Sequence, residues 1–260
     1  MTTDTATRAA ELLTTAWRDG SQIAELPGDL HPASRDAAYN IQDEMARLLG
    51  WEVVGWKMGM TSAPTQRQFG ADAPLPGRLF REVMYGNPAT VSAGGLTKPM
   101  VEPEFAVRLS ADLPPRDAAY TRDEVAAATA AIHLAIEIAS YRVAMPEVVP
   151  LRIVADNGGS AGCVIGPEVA DWRSVDFLTV PVALHIDGAL AAPGLTGDAR
   201  IDPVDVTAWL ANDLSARGIG LAAGAYILTG SATAPTRMDV GSEVVARFED
   251  LGEVRLRFTE

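Results

Sequence analysis

The segment MVEPEFAV, residues 100–107, sets two carboxylates, Glu102 and Glu104, inside an apolar run. Side chains at i and i+2 of a strand point to the same face, so an extended chain here projects both acids together. Like charges side by side repel. A fold that uses this segment as a strand must place a cation or a buried base between them, or leave one carboxylate protonated. Glu137 raises the same demand: it stands between Ile136 and Ile138 in AIEIAS, where its neighbours imply burial, and a buried carboxylate needs a partner charge or a metal.

The chain has the means to bury such groups. Its 260 residues are 48% hydrophobic, enough for a substantial core in one domain. A formal charge of −13 with no Lys/Arg cluster argues against nucleic acid or an anionic membrane as partner, and leaves room only for a locally cationic pocket that takes a small anionic substrate. The single cysteine, Cys163, excludes an intrachain disulfide and fits a reducing compartment. The opening MTTDTATRAAELLTTAW lacks the basic start and apolar core of a secretory signal, and no later run reaches membrane-spanning length, so the sequence predicts a cytoplasmic protein.

Two helices are predicted first, one from about Asp4 to Trp17 and one in SRDAAYNIQDEMARLLG, capped by Ser34 and closed by Gly50, with Ala38, Ile41, Met45 and Leu48 on its apolar face. After Trp51 the texture changes to short apolar runs broken by Gly and Pro, which predicts a mostly β core. TRDEVAAATAAIHLAIEIAS opens with Thr121 and Glu124 at capping-box spacing, and the expected change from helix to strand falls near Leu134. CVIG and VPVALHIDG read as strands, and DPVDVTAWLANDLSARG as a helix with Asp202 as N-cap and Pro203 at its first position. AYILTGSAT, SEVVARFED and GEVRLRFTE complete a carboxyl-terminal half dominated by antiparallel pairing. The expected class is α+β, with residues 1–62 as a helical segment packed on a core of residues 63–260.

Three carboxylates without a His or Cys cluster suit a hard divalent cation, Mg²⁺ or Mn²⁺, which prefers oxygen ligands. The competing reading puts Glu102 and Glu104 on a solvated strand face and pairs Glu137 with an arginine such as Arg142. Lys57, between Trp56 and Met58 in GWKMGMTS, is either an exposed strand lysine or a buried one. Burial would lower its pKa toward an acid/base range or hold its charge for a substrate carboxylate. In ADNGGSAG a turn can bring Asp156, Asn157, backbone N–H groups and the Ser160 hydroxyl near a ligand, or be an ordinary turn. His31, His133 and His185 are scattered without ligand spacing. No phosphate loop, dinucleotide fingerprint or nucleophile elbow is present.

Taken in order, AAYNIQ, VVGWKMGMTS, VEPEFAV, AIEIASYR, IVADNGGSAGCVIG and AWLANDLSARGIGLAAGAYILTGS resemble the hydratase/decarboxylase branch of the fumarylacetoacetase superfamily. The resemblance implies a mixed β-roll core of the fumarylacetoacetase C-terminal type. It matches Glu102, Glu104 and Glu137 to metal-binding positions for Mg²⁺ or Mn²⁺, Lys57 and Asp156 to catalytic ones, and Ser62, Asn157 and Ser160 to substrate contacts. It also implies a small 2-oxo acid substrate, homo-oligomeric assembly, and association with a related decarboxylase or hydratase.

MYGNPATV and RLSADLPP are closer to hydratase relatives, so the expected activity is hydration of a 2-hydroxy-2,4-dienoate of the 2-oxopent-4-enoate type. Decarboxylation of a 4-oxalocrotonate-type diacid is the alternative, marked by a further buried cation, for which Arg67, Arg78 and Arg142 are candidates. Three departures from the family pattern keep a third reading open, a noncatalytic or repurposed member. Gly158-Gly159 stands where Ala-Ser is usual, Leu75-Pro76 where an aspartate precedes the glycine, and ARIDP before the late helix.

Overall fold

The computed structural model describes residues 3–144 and 147–260. The chain opens with helices α1 (Thr3–Asp19) and α2 (Arg35–Leu49). Ser34 accepts the Ala37 amide at the start of α2, and Gly50, at φ 67°, closes it in the left-handed conformation that glycine adopts without strain. There follow β1 (Val53–Gly59), α3 (Ala63–Phe69), β2 (Leu75–Phe80), β3 (Met84–Gly86), β4 (Ala89–Ser92) and the long β5 (Met100–Leu109). Then come α4 (Arg122–Ala128), β6 (Thr129–Ala139), α5 (Pro150–Ala155), β7 (Ser160–Glu168), β8 (Ala183–Ile186) and β9 (Ala189–Pro193). The chain ends with α6 (Pro203–Ala216), β10 (Tyr226–Ser231), β11 (Thr236–Arg237), β12 (Glu243–Arg247) and β13 (Glu253–Thr259).

Two sheets form the core. The larger runs β2-β1-β10-β5-β6-β7-β3, with β11 on the end of β5, and the smaller runs β4-β13-β12-β8-β9. Val101, Phe105 and Val107 of β5 and Leu134, Ile136 and Ile138 of β6 share a buried cluster with Val254, Leu256 and Phe258 of the small sheet. Alternation sends the intervening residues to the other face. On that side Ala106, Ala135, Cys163 and Leu228 pack together, and α1, α2 and α5 close over Leu75 and Phe80 of β2. β1 lies second in the large sheet, so the segment before residue 63 supplies a strand to the core as well as two helices.

Two expectations are corrected. The helix after Thr121 gives way at Thr129, not near Leu134, because Thr129 to Ala139 pairs along its length with β5 and the ladder overrides the helix preference of the alanines. After Trp51 two helices, α3 and α5, join the expected α4 and α6, and their signals are short: Ser62 with Pro64 and Gly70 for α3, Pro150 for α5. Antiparallel pairing dominates the carboxyl-terminal half as expected, while β10 joins β1 and β13 joins β4 in parallel, each across a long separation in sequence. Among the described residues no helix is long and apolar enough to cross a membrane.

Candidate active site

Period-two alternation assembles the site. On β1, Trp56 and Met58 enter the inter-sheet core, so Lys57 points to the opposite face. On β5, Glu102 and Glu104 fall on that same face, and register places Glu102 directly opposite Glu137 of β6. One ligand atom from each of Glu102, Glu104 and Glu137 lies within 4.8 Å of the others, with Glu104 and Glu137 buried and Glu102 half-buried. The solvated-face reading of Glu102 and Glu104 is therefore set aside.

The three acids are only partly compensated. Lys57 Nζ stands 2.8 Å from Glu137 Oε1 and donates to the Gly158 carbonyl at 3.0 Å. Glu104 Oε2 accepts the Gly230 amide at 2.8 Å, while Glu104 Oε1 and Glu137 Oε2 are buried without a hydrogen-bond partner. One ammonium against three carboxylates leaves an excess of negative charge that a dication would balance, and oxygens left unpaired in the interior are the donors such an ion takes. The residues fit a divalent metal.

Titration follows from this crowding. Burial first, then the Glu137 charge, pushes Glu102 up to about 7, against the pull of Lys57. Glu104 is pushed well above the ordinary carboxylate value by burial and by Glu137 and Glu102. Of the two alternatives for a buried Lys57, a lowered pKa or a held charge, the second fits: burial acts downward, but Glu137 and Glu102 outweigh it and hold the ammonium above its usual range. Lys57 is a fixed positive charge, not a neutral base.

Arg142 does not pair with Glu137. Its backbone N–H and its Nε donate to the two Asp156 oxygens at 2.7 and 2.6 Å, and its terminal nitrogens donate to the Ser160 and Asp156 carbonyls. Asp156 is fully buried, and its pKa is raised by burial against the pull of Arg142. The Asn157 amide exchanges two hydrogen bonds with the Arg78 backbone, which fastens the turn to β2. Ser160 Oγ is buried with no partner, whereas Ser62 is committed to the Thr65 amide and hydroxyl at the start of α3. None of the three histidines joins the acidic cluster.

Two contributors escape a reading of the sequence. Gly230 supplies the amide that holds Glu104, and its only signal is a glycine inside the strand segment LTGS. Tyr141 interacts electrostatically with Lys57, Glu102, Glu137 and Asp156, and only its place after AIEIAS pointed to it.

Fold and site together define a mixed two-sheet α+β protein with a carboxylate trio able to hold a divalent cation. The chain belongs to the fumarylacetoacetate (FAA) hydrolase C-terminal family, whose sequence model matches residues 66–259. It is 34% identical over 251 residues to a 2-hydroxyhexa-2,4-dienoate hydratase of Comamonas testosteroni, covering 94% of each chain. It is 32% identical over 254 residues to a 2-keto-4-pentenoate hydratase of Burkholderia vietnamiensis, covering 96% of each. Its structure superposes with a TM-score of 0.90 and 28% identity on 4-oxalocrotonate decarboxylase from Pseudomonas putida G7, solved with magnesium and adipate, covering 99% of this chain and 98% of the other.

Proposed function

We propose that this protein is a hydro-lyase that adds water to a 2-hydroxy-2,4-dienoate, with Mg²⁺ or Mn²⁺ held by Glu102, Glu104 and Glu137. The observation that carries the reading is the convergence of those three carboxylates, two of them with unpaired buried oxygens, around the Lys57 ammonium. The two hydratases that share about a third of its residues along nearly their full length support the same chemistry.

Glu102, Glu104 and Glu137 would hold a divalent cation, which would supply an electron sink for enolate charge. The protein's own groups do the rest. Lys57, charged and fixed by Glu137 and Gly158, anchors the substrate carboxylate and can supply a proton. The enol loses its O–H proton as the terminal carbon of the diene gains one, and the hydroxyl of water then adds to the far carbon of the resulting unsaturated ketone while its proton goes to the carbon adjacent. Asp156, pinned by Arg142, and Asn157, pinned to β2, hold the turn that presents the free Ser160 hydroxyl, which can orient substrate or water. Ser62 keeps its place through the cap of α3.

Decarboxylation of a vinylogous 2-oxo diacid would call for a further cation to receive the distal carboxylate. The three arginines that were candidates are engaged elsewhere or exposed: Arg142 with Asp156, Arg78 with Gln42 and Asp43, and Arg67 on the outside of α3. That favours hydration. The test is loss of the ultraviolet absorbance of a 2-hydroxy-2,4-dienoate with purified protein and Mg²⁺ or Mn²⁺, run beside the diacid. Metal-dependent loss with the dienoate, and no CO₂ from the diacid, is expected. Metal binding without turnover of the dienoate would refute the assignment. Homo-oligomeric assembly belongs to the same proposal and is read by light scattering.

A further inference from the structure

The turn after Asp156 carries three successive residues, Asn157, Gly158 and Gly159, with φ of 50°, 68° and 73°. Its two glycines each admit one side chain. A Cβ at Gly158 would stand 3.1 Å from Lys57 Cδ, and a Cβ at Gly159 would stand 2.5 Å from Tyr141 Cε1 and 3.0 Å from its Cζ. The aromatic ring therefore fills the volume that any larger residue at 159 would need. Gln22 takes the Tyr141 backbone carbonyl, but among the described residues the phenol hydroxyl has no hydrogen-bond partner. The same turn packs the Lys57 side chain against Gly158 and the Tyr141 ring against the adjacent Gly159, and Lys57 is paired with Glu137, so the ring lies at the lysine side of the carboxylate cluster and feels Lys57, Glu102, Glu137 and Asp156 electrostatically. Burial pushes the phenol up to about 12, so it remains a protonated donor. A half-buried donor that the protein leaves unpaired, next to a site built for an anion, is a group for a ligand to satisfy.

We propose that Tyr141 is a substrate-binding residue whose phenol donates a hydrogen bond to the anionic head of a 2-oxo acid, and that Gly159 is the positioning residue that leaves its ring the room to do so. The proposal rests on the reading of the site given above, and goes beyond it in assigning a donor and the backbone feature that accommodates it.

Tyr141→Phe keeps the ring and removes the donor. Oxalate, which presents the same paired oxygens as a 2-oxo acid head, is titrated calorimetrically into protein saturated with Mg²⁺. The expected result is a rise in the oxalate Kd of about tenfold to a hundredfold, the usual effect of losing a hydrogen bond to a charged group, with the Mg²⁺ Kd unchanged and kcat/KM for the dienoate falling in parallel. Gly159→Ala should weaken oxalate when Tyr141 is present and have no effect on oxalate in a Tyr141→Ala background. Oxalate bound equally by wild type and Tyr141→Phe, or not bound by the metal-loaded wild type at all, would overturn the donor. A Gly159→Ala effect of the same size in both backgrounds would overturn the positioning role. Should the wild type turn over no dienoate while oxalate binding still depends on the phenol, the hydratase reading falls and the Tyr141 assignment stands.

Discussion

Lys57 Nζ lies 2.8 Å from Glu137 Oε1, with both side chains buried, so the two form an ion pair taken out of water. Removing one member of such a pair strands the other charge and costs about 3–5 kcal/mol. Lys57→Ala should therefore lower the unfolding free energy of the EDTA-treated protein by roughly 3 kcal/mol and by less with Mg²⁺, because the dication takes over the compensation of Glu137. Urea unfolding with and without metal reads this. Equal losses in both conditions would contradict a metal at this position. Turnover should fall more than metal affinity, and an equal fall would make the lysine structural.

Replacing a ligand oxygen's charge should separate binding from folding. Glu102→Gln, Glu104→Gln and Glu137→Gln are each expected to weaken Mn²⁺ binding by roughly two orders of magnitude and to abolish metal-dependent turnover. Glu104→Gln should leave the EDTA-treated protein at least as stable, since burial and the neighbouring carboxylates already favour the neutral form of this side chain, one oxygen of which has no partner. Calorimetric metal titration with thermal melts decides it, and wild-type metal affinity in all three variants would sink the site.

Metal affinity should depend on pH in a definite direction. Burial and Glu137 push Glu102 from an ordinary value of 4.5 up to about 7, and Glu104 is raised in the same direction, so the folded chain holds more protons than the unfolded one as pH rises through that range. The Glu102 contribution to stability therefore falls as pH rises from about 4.5 to about 7, and that of Glu104 falls in the same direction. A cation needs both groups ionised, so its affinity rises through the same window, with protons released on binding. Calorimetry in two buffers of different ionisation enthalpy, between about pH 5.5 and 8, should show both effects. A pH-independent affinity would be inconsistent with carboxylate ligands.

Arg142 supports the turn by a fork that lysine cannot copy. Its Nε donates to Asp156 Oδ1, and its other nitrogens reach the Ser160 and Asp156 carbonyls, all in the interior. Arg142→Ala should cost about 3–5 kcal/mol by leaving Asp156 buried and unpaired, and Arg142→Lys should recover only part of it because the planar geometry is lost. Denaturant curves measure both. Wild-type stability in Arg142→Ala would remove this pair from the account of the site.

Much of this could be seen in one dimension. The i, i+2 spacing of Glu102 and Glu104 dictates a shared face, and the caps Ser34, Gly50, Asp202 and Pro203 mark α2 and α6, because these are effects of the local backbone. The resemblance of ordered segments placed the chain in a family that the sequence model over residues 66–259 shows.

What local rules could not decide was pairing. Which strand faces which is a matter of long-range register: Glu137 meets Glu102 only because β6 aligns with β5, and Lys57 reaches Glu137 only because β1 and β5 both pair with β10. The same holds for Arg142, which chose Asp156 over Glu137, and for Thr129, where a ladder overrode an alanine-rich helix. The sequence by itself determined the acid types, their periodicity and the helix ends, since bonded geometry sets those. Only the tertiary structure decided the partners of each charge, since Coulomb energy and desolvation depend on distances that chains far apart in sequence set together.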